Sequence, residues 1–143
     1  MRHRRHRNKL SLKPAHARMF KRNLLTSLLL YEKVRTTKKR AEAIAPEVDT
    51  LINFAKKNKP HVAIRRINQR VTDKNASRKV MEVFIKRYAK RSSGLTRMEA
   101  LGYRVGDGAE VVHLSLVEGE EVTVPTKTPR TPKKAAKSSK SSK

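Results

Sequence analysis

The sequence has no cysteine, no tryptophan, only five glycines, and no carboxylate before Glu32. The missing cysteine removes any disulfide framework and any thiolate ligand or nucleophile, which fits a reducing compartment. The longest leucine run, Leu28 to Leu30, falls far short of the ~20 apolar residues of a bilayer span. No apolar segment follows the charged start, so the expectation is a chain neither secreted nor membrane-spanning. No Walker loop, dinucleotide fingerprint, metalloprotease pair or internal repeat occurs. The 12 acidic residues are scattered singly or lie in "EGEE" at 118–121, which leaves no carboxylate cluster for metal-assisted catalysis. No cofactor and no small-molecule substrate are expected, and an enzyme is not.

What the sequence has is positive charge: 36 lysines and arginines in 143 residues give a formal net charge of +24. That lies far outside the range that keeps a small domain soluble, and it points to a polyanion, with nucleic acid first. The charge is densest in "MRHRRHRNKL", which has four arginines, a lysine and two histidines in ten residues. Like charges this close repel unless something outside the chain neutralises them. The planar fork of arginine matches phosphate oxygens, and an extended arm can follow a groove without a core of its own. Arg2, Arg4, Arg5, Arg7 and Lys9 are therefore expected on phosphate. His3 and His6 lack a carboxylate or cysteine to complete a metal shell and stand among cations, so His3 reads as a phosphate or base contact. The aromatics Phe20, Tyr31, Phe54, Phe84, Tyr88 and Tyr103 fall mostly on apolar faces and supply no stacking platform for a single strand. Recognition by backbone charge and shape, as for structured RNA, is favoured.

By length the chain is one domain. It divides into a basic arm at 1–14, a single globular domain at 15–121 and a tail at 122–143. The tail, "VTVPTKTPRTPKKAAKSSKSSK", has no acid and little to bury, so it is expected to be disordered in isolation. In the domain, Ala17, Phe20, Leu24 and Leu28 repeat at helical spacing, with Arg18, Lys21 and Arg22 in another sector of the same helix. "YEKVRTT" suits a strand, after which Thr36 or Thr37 caps a helix carrying Ala41, Ile44, Ala45, Val48, Leu51, Ile52 and Ala55. Pro46 predicts a kink or split near Ala45. Asn58 and Pro60 suit the N-cap region and first turn of a third, short helix carrying Ala63, Ile64 and Ile67. A fourth starts near Asn75 and buries Val80, Val83, Phe84 and Tyr88, with Lys79, Lys86, Arg87 and Lys90 left for water or a partner. Gly94 is placed as its left-handed cap. Asp107-Gly108 between two strand-like runs signals a tight hairpin, which accounts for Asp107 and both glycines without catalysis, and no base or nucleophile set stands near Asp107 and Glu110. The order helix, strand, three helices, two strands gives a two-layer α+β fold with a small three-stranded mixed sheet covered by helices.

"VRTTKKRAE" joins a strand end, two threonines and three cations at a helix N-terminus, where backbone donors and the helix dipole favour anions. Thr36, Thr37, Lys38, Lys39 and Arg40 are accordingly expected to meet phosphate, as are Lys13, Arg18, Lys21 and Arg22.

"MRHR", Leu10, His16, Arg22-Asn23, Ser27-Leu28, Thr36-Thr37 and Arg40-Ala41, together with "GLTRM", "GYRVGDGA" and "LSLV", resemble the family of ribosomal large-subunit protein seventeen of the bacterial type. The match runs from residue 1 to about 118 and departs from the family pattern at Leu12, Ala17 and Glu42. The resemblance implies a two-layer α/β fold and a structural protein of the large subunit near the polypeptide exit region. Its partners would be large-subunit ribosomal RNA and neighbouring ribosomal proteins, not a membrane or a second copy. His16, Asn23, Arg97 and Arg104 join the expected RNA contacts at matching positions. The implied location is the cytoplasm or an organelle, in the ribosome, with a role in translation and assembly. The competing reading is a DNA-compacting protein, for which the "PKKAAKSSKSSK" tail has the right composition.

Overall fold

The computed structural model describes residues 8 and 10–118. The expectations for arm residues 1–7 and 9 and for the tail lie outside the described residues. α1 (Pro14–Tyr31) opens with Pro14 in its first turn, where the missing N–H has no intrahelical acceptor to lose. Only its last turns reach the core: Leu25, Leu28 and Leu29 are buried, Leu24 partly so, and Ala17 and Phe20 are half-exposed. The helix ends because Glu32 adopts a left-handed conformation (φ 59°) and returns its N–H to the Leu28 carbonyl.

β1 (Lys33–Thr37) then leads straight into α2 (Lys38–Lys57), whose N-cap position is Thr37, without a side-chain cap bond. α2 runs unbroken through Pro46, so the helix is not split there, and Ala41, Ile44, Val48, Leu51, Ile52 and Ala55 form its buried stripe. Asn58 closes α2 rather than opening α3: its backbone and side-chain nitrogens both donate to the Phe54 carbonyl. α3 (Pro60–Arg70) buries Ala63 and Ile67 and turns Ile64 outward.

α4 (Lys74–Lys79) is capped by Asp73, which accepts from the Asn75 N–H at 2.6 Å. It continues through a π-helical turn (Val80–Phe84) into α5 (Ile85–Arg87). The wider turn shifts the helical phase, so Val80, Phe84 and Tyr88 are fully buried while Val83, expected inside, is exposed. The Tyr88 hydroxyl donates to the Val117 carbonyl, tying this rod to the end of the sheet. Gly94 is left-handed (φ 66°) but sits in the connection to β2, not at a helix end. The Asp49 carboxylate holds that connection, accepting from the N–H groups of Gly94 (3.0 Å) and Leu95 (3.1 Å).

β2 (Thr96–Tyr103) and β3 (Glu110–Leu116) form a hairpin with an irregularity between Ala100 and Gly102. The sheet order is β1-β3-β2 and both pairings are antiparallel, which corrects the mixed sheet expected from the element order. The helices do link two strands of the same direction, β1 and β2, but β3 lies between them. Burial decides this: Val112, Leu114 and Leu116 give β3 the most apolar strand, whereas β1 and β2 carry the charges that suit edges. Helices cover one face of the sheet. Residues paired across the register put Lys33, Arg35, Arg97, Glu99, His113 and Ser115 together on the other face.

Sequence periodicity also points away from the burial of Glu32. Its carboxylate is 2% exposed and lies 2.6 Å from Lys79 Nζ and 2.6 Å from Arg87 Nη1. Lys79 and Arg87 were expected to face water or a partner, and they face this buried acid instead. Burial alone raises the Glu32 carboxyl, and the hydrogen bonds and charges of Lys79 and Arg87 outweigh it and hold it below its usual range.

Candidate nucleic-acid interface

The described site residues fall into three groups. At the start of α1 and along it, Lys13, His16, Arg18 and Asn23 are exposed. Arg22 is half-buried, with an Nε that has no hydrogen-bond partner among the described residues. Lys21 is held by Glu47 at 2.7 Å, so its charge is partly met inside the chain.

The second group surrounds the β1–α2 junction. Arg35 and Thr37 point outward from β1 by strand alternation, and Arg40 comes one turn into α2. Arg104 arrives from the far end of the β2–β3 hairpin, because β3 pairs Val111 with Thr37. Arg35, Thr36, Thr37, Arg40 and Arg104 thus line one open cleft of about 280 Å³ above Val111. The Arg40 guanidinium lies 4.8 Å from the Phe20 ring centroid, which orients it and ties the cleft to α1. Lys38 and Lys39 flank the cleft, paired with Glu110 (3.0 Å) and Glu42 (3.1 Å). The Glu110 hydrogen bond raises the Lys38 ammonium above its ordinary value, so it stays charged.

The hairpin loop fixes Arg104. It is longer than the tight turn expected: Arg104 N–H donates to the Ala109 carbonyl (2.9 Å) and Gly108 N–H to the Arg104 carbonyl (3.0 Å). Gly106 (φ 107°) and Gly108 (φ 61°) supply the backbone angles such a loop needs. Asp107 accepts from Arg104 through both oxygens, with Nε to Oδ1 at 2.9 Å. This guanidinium, with the Ala109 N–H, holds the Asp107 carboxyl down at about 2. The depressed value means that the loop contact is present above the ordinary 3.8 and is lost as pH falls through about 2. In Arg104→Gln the carboxyl is expected to titrate back toward 3.8, read by NMR of its side-chain carbon. An unchanged midpoint would remove the Arg104 contact from the account.

The third group is the uncovered sheet face, where Arg97 joins Lys33 and Arg35. Arg35 and Lys33 were not among the expected contacts. The alternation of "KVRTT", with Val34 inward, is the signal that places them outward. Among the described residues no group of three or more His, Cys, Asp or Glu could hold a metal ion, and no helix is long and apolar enough to cross a membrane.

Fold and surface together define a small, basic, two-layer α+β protein whose arginines converge on a junction of strand, helix and hairpin. The family model for ribosomal protein L17 matches residues 20–117. A protein of Chloroflexus aggregans named "Large ribosomal subunit protein bL17" is 37% identical over 117 residues, 82% of this chain and 100% of that one. Its namesakes in Syntrophotalea carbinolica and Hyphomonas neptunium are 37% and 36% identical, over 84% and 85% of this chain and 77% and 86% of theirs. The chain belongs to the ribosomal protein L17 family, a family of structural proteins and not of enzymes.

Proposed function

We propose that the chain is a structural component of the large ribosomal subunit that grips large-subunit ribosomal RNA. The relatives' names supply the particle. The observation that carries RNA contact is the cleft lined by Arg35, Arg40, Arg104, Thr36 and Thr37, in which, among the described residues, Asp107 is the one carboxylate paired with any of the three guanidiniums. Each guanidinium can give a phosphate two parallel hydrogen bonds, and the start of α2 adds backbone donors. Lys13, His16 and Arg18 continue the cationic surface along α1 toward the arm at 1–14. The globular domain at 15–121 holds the cleft, and the arm threads the RNA. Neighbouring ribosomal proteins near the polypeptide exit region are its other partners, and the role is in translation and subunit assembly.

Competition filter binding tests this. The full chain is expected to prefer a large-subunit RNA fragment to random duplex DNA at moderate salt, with affinity falling steeply as salt rises. Equal affinity for the two would favour the DNA-compacting reading.

A further inference from the structure

A second cleft, of about 150 Å³, lies where α3 crosses α1 and α2 and shares no lining residue with the arginine cleft. Its floor is apolar, made by Leu25, Leu51 and the half-buried Phe54. Two guanidiniums, Arg66 and Arg70, stand at its rim on the exposed side of α3. Arg66 Cζ is 5.9 Å from the Phe54 ring centroid, a looser approach than the 4.8 Å of Arg40 over Phe20. The polar wall is made by acceptors. The Thr50 hydroxyl donates to the Pro46 carbonyl at 2.8 Å, leaving its oxygen to accept, and Glu47 accepts from Lys21 through Oε1, with no hydrogen bond to Oε2 among the described residues.

From this arrangement we infer that the cleft takes one unstacked, amino-bearing nucleobase of the RNA, and the inference rests on the RNA-binding reading above. A base has the flat apolar face that Leu25, Leu51 and Phe54 would cover, and an edge of N–H donors for Thr50 and Glu47. Its own phosphate would meet Arg66 and Arg70, which an aliphatic side chain of a neighbouring protein would leave unmatched. Stacking on an aromatic ring or a guanidinium plane is the usual way a protein holds a splayed-out base.

The test is chemical probing of base reactivity on a large-subunit RNA fragment bound by the full chain, with filter-binding affinity at several salt concentrations. Thr50→Leu fills the cleft from an exposed position and removes an acceptor, and Arg66→Gln removes a rim cation, so neither disturbs the core. At least one unpaired adenine, cytosine or guanine is expected to be protected by the unaltered chain and to regain reactivity with Thr50→Leu. Affinity is expected to fall about tenfold with the salt slope little changed, since Arg66 and Arg70 both remain at the rim to meet phosphate. In Arg66→Gln the same base is partly exposed and the slope falls by about one. Retained protection in both variants, or tight binding with no protected base, overturns the inference while leaving RNA binding intact. Failure of the unaltered chain to bind the RNA overturns both readings.

Discussion

Glu32→Ala is expected to lower folding stability by about 3–5 kcal/mol, because it leaves Lys79 and Arg87 facing a site with no anion. That is a large share of the ~5–15 kcal/mol typical of a domain. Glu32 sits where α1 hands over to β1, and its backbone carbonyl accepts the Leu116 N–H at 2.8 Å. Loss of the charge therefore loosens the seam between the first helix, the sheet and the helical rod 74–87. The pH dependence has a definite sign. The folded carboxyl lies below its ordinary 4.5, so its contribution is present above that value and disappears as pH falls through the lower folded one. Urea denaturation of the unaltered chain and of Glu32→Ala at neutral pH and near pH 3 measures both effects. The gap between the two proteins should narrow in acid. A loss under 1 kcal/mol at neutral pH would mean that Lys79 and Arg87 find other partners at little cost.

Replacing Arg35, Arg40 and Arg104 together by glutamine is expected to reduce the log–log salt slope of RNA binding by about three, and affinity at 0.1 M salt by about a hundredfold or more. All three are exposed on edges or helix surface, so the fold should survive, checked by an unchanged thermal midpoint. The same three changes made at Lys38, Lys39 and Lys21 should cost less, because all three of those amines are paired with a carboxylate, whereas of the cleft guanidiniums only Arg104 has such a partner among the described residues. Equal losses from the two sets would show that net charge, rather than convergence on the cleft, governs binding.

Much of this architecture is legible in the sequence. The stripe from Ala41 to Ala55, the Pro14 and Pro60 helix starts and the two glycines around Asp107 each state a local rule that the folded chain obeys. The β1–α2 junction was readable for the same reason: "VRTTKKR" carries both strand alternation and a helix start. What local rules could not supply was partnership over distance. Nothing near Glu32 in sequence says that it will be buried, since its partners lie 47 and 55 positions away and look like surface cations on an amphipathic helix. The exposure of Val83 follows from a π-helical turn that has no periodic signature. The all-antiparallel sheet depends on β3, the last strand, taking the central place, which element order alone leaves open. Arg104 reaches the cleft only because the β1–β3 register sets the hairpin over Thr37. Arg66 and Arg70 read as the solvated face of a short helix until α3 is laid across Phe54.

The most direct measurement of the central claim is sedimentation of a cell lysate through a sucrose gradient, probing for this chain before and after a moderate-salt wash. The account predicts that the chain migrates with the large ribosomal subunit and stays there through the wash. Recovery at the top of the gradient, or with chromosomal DNA, would contradict it.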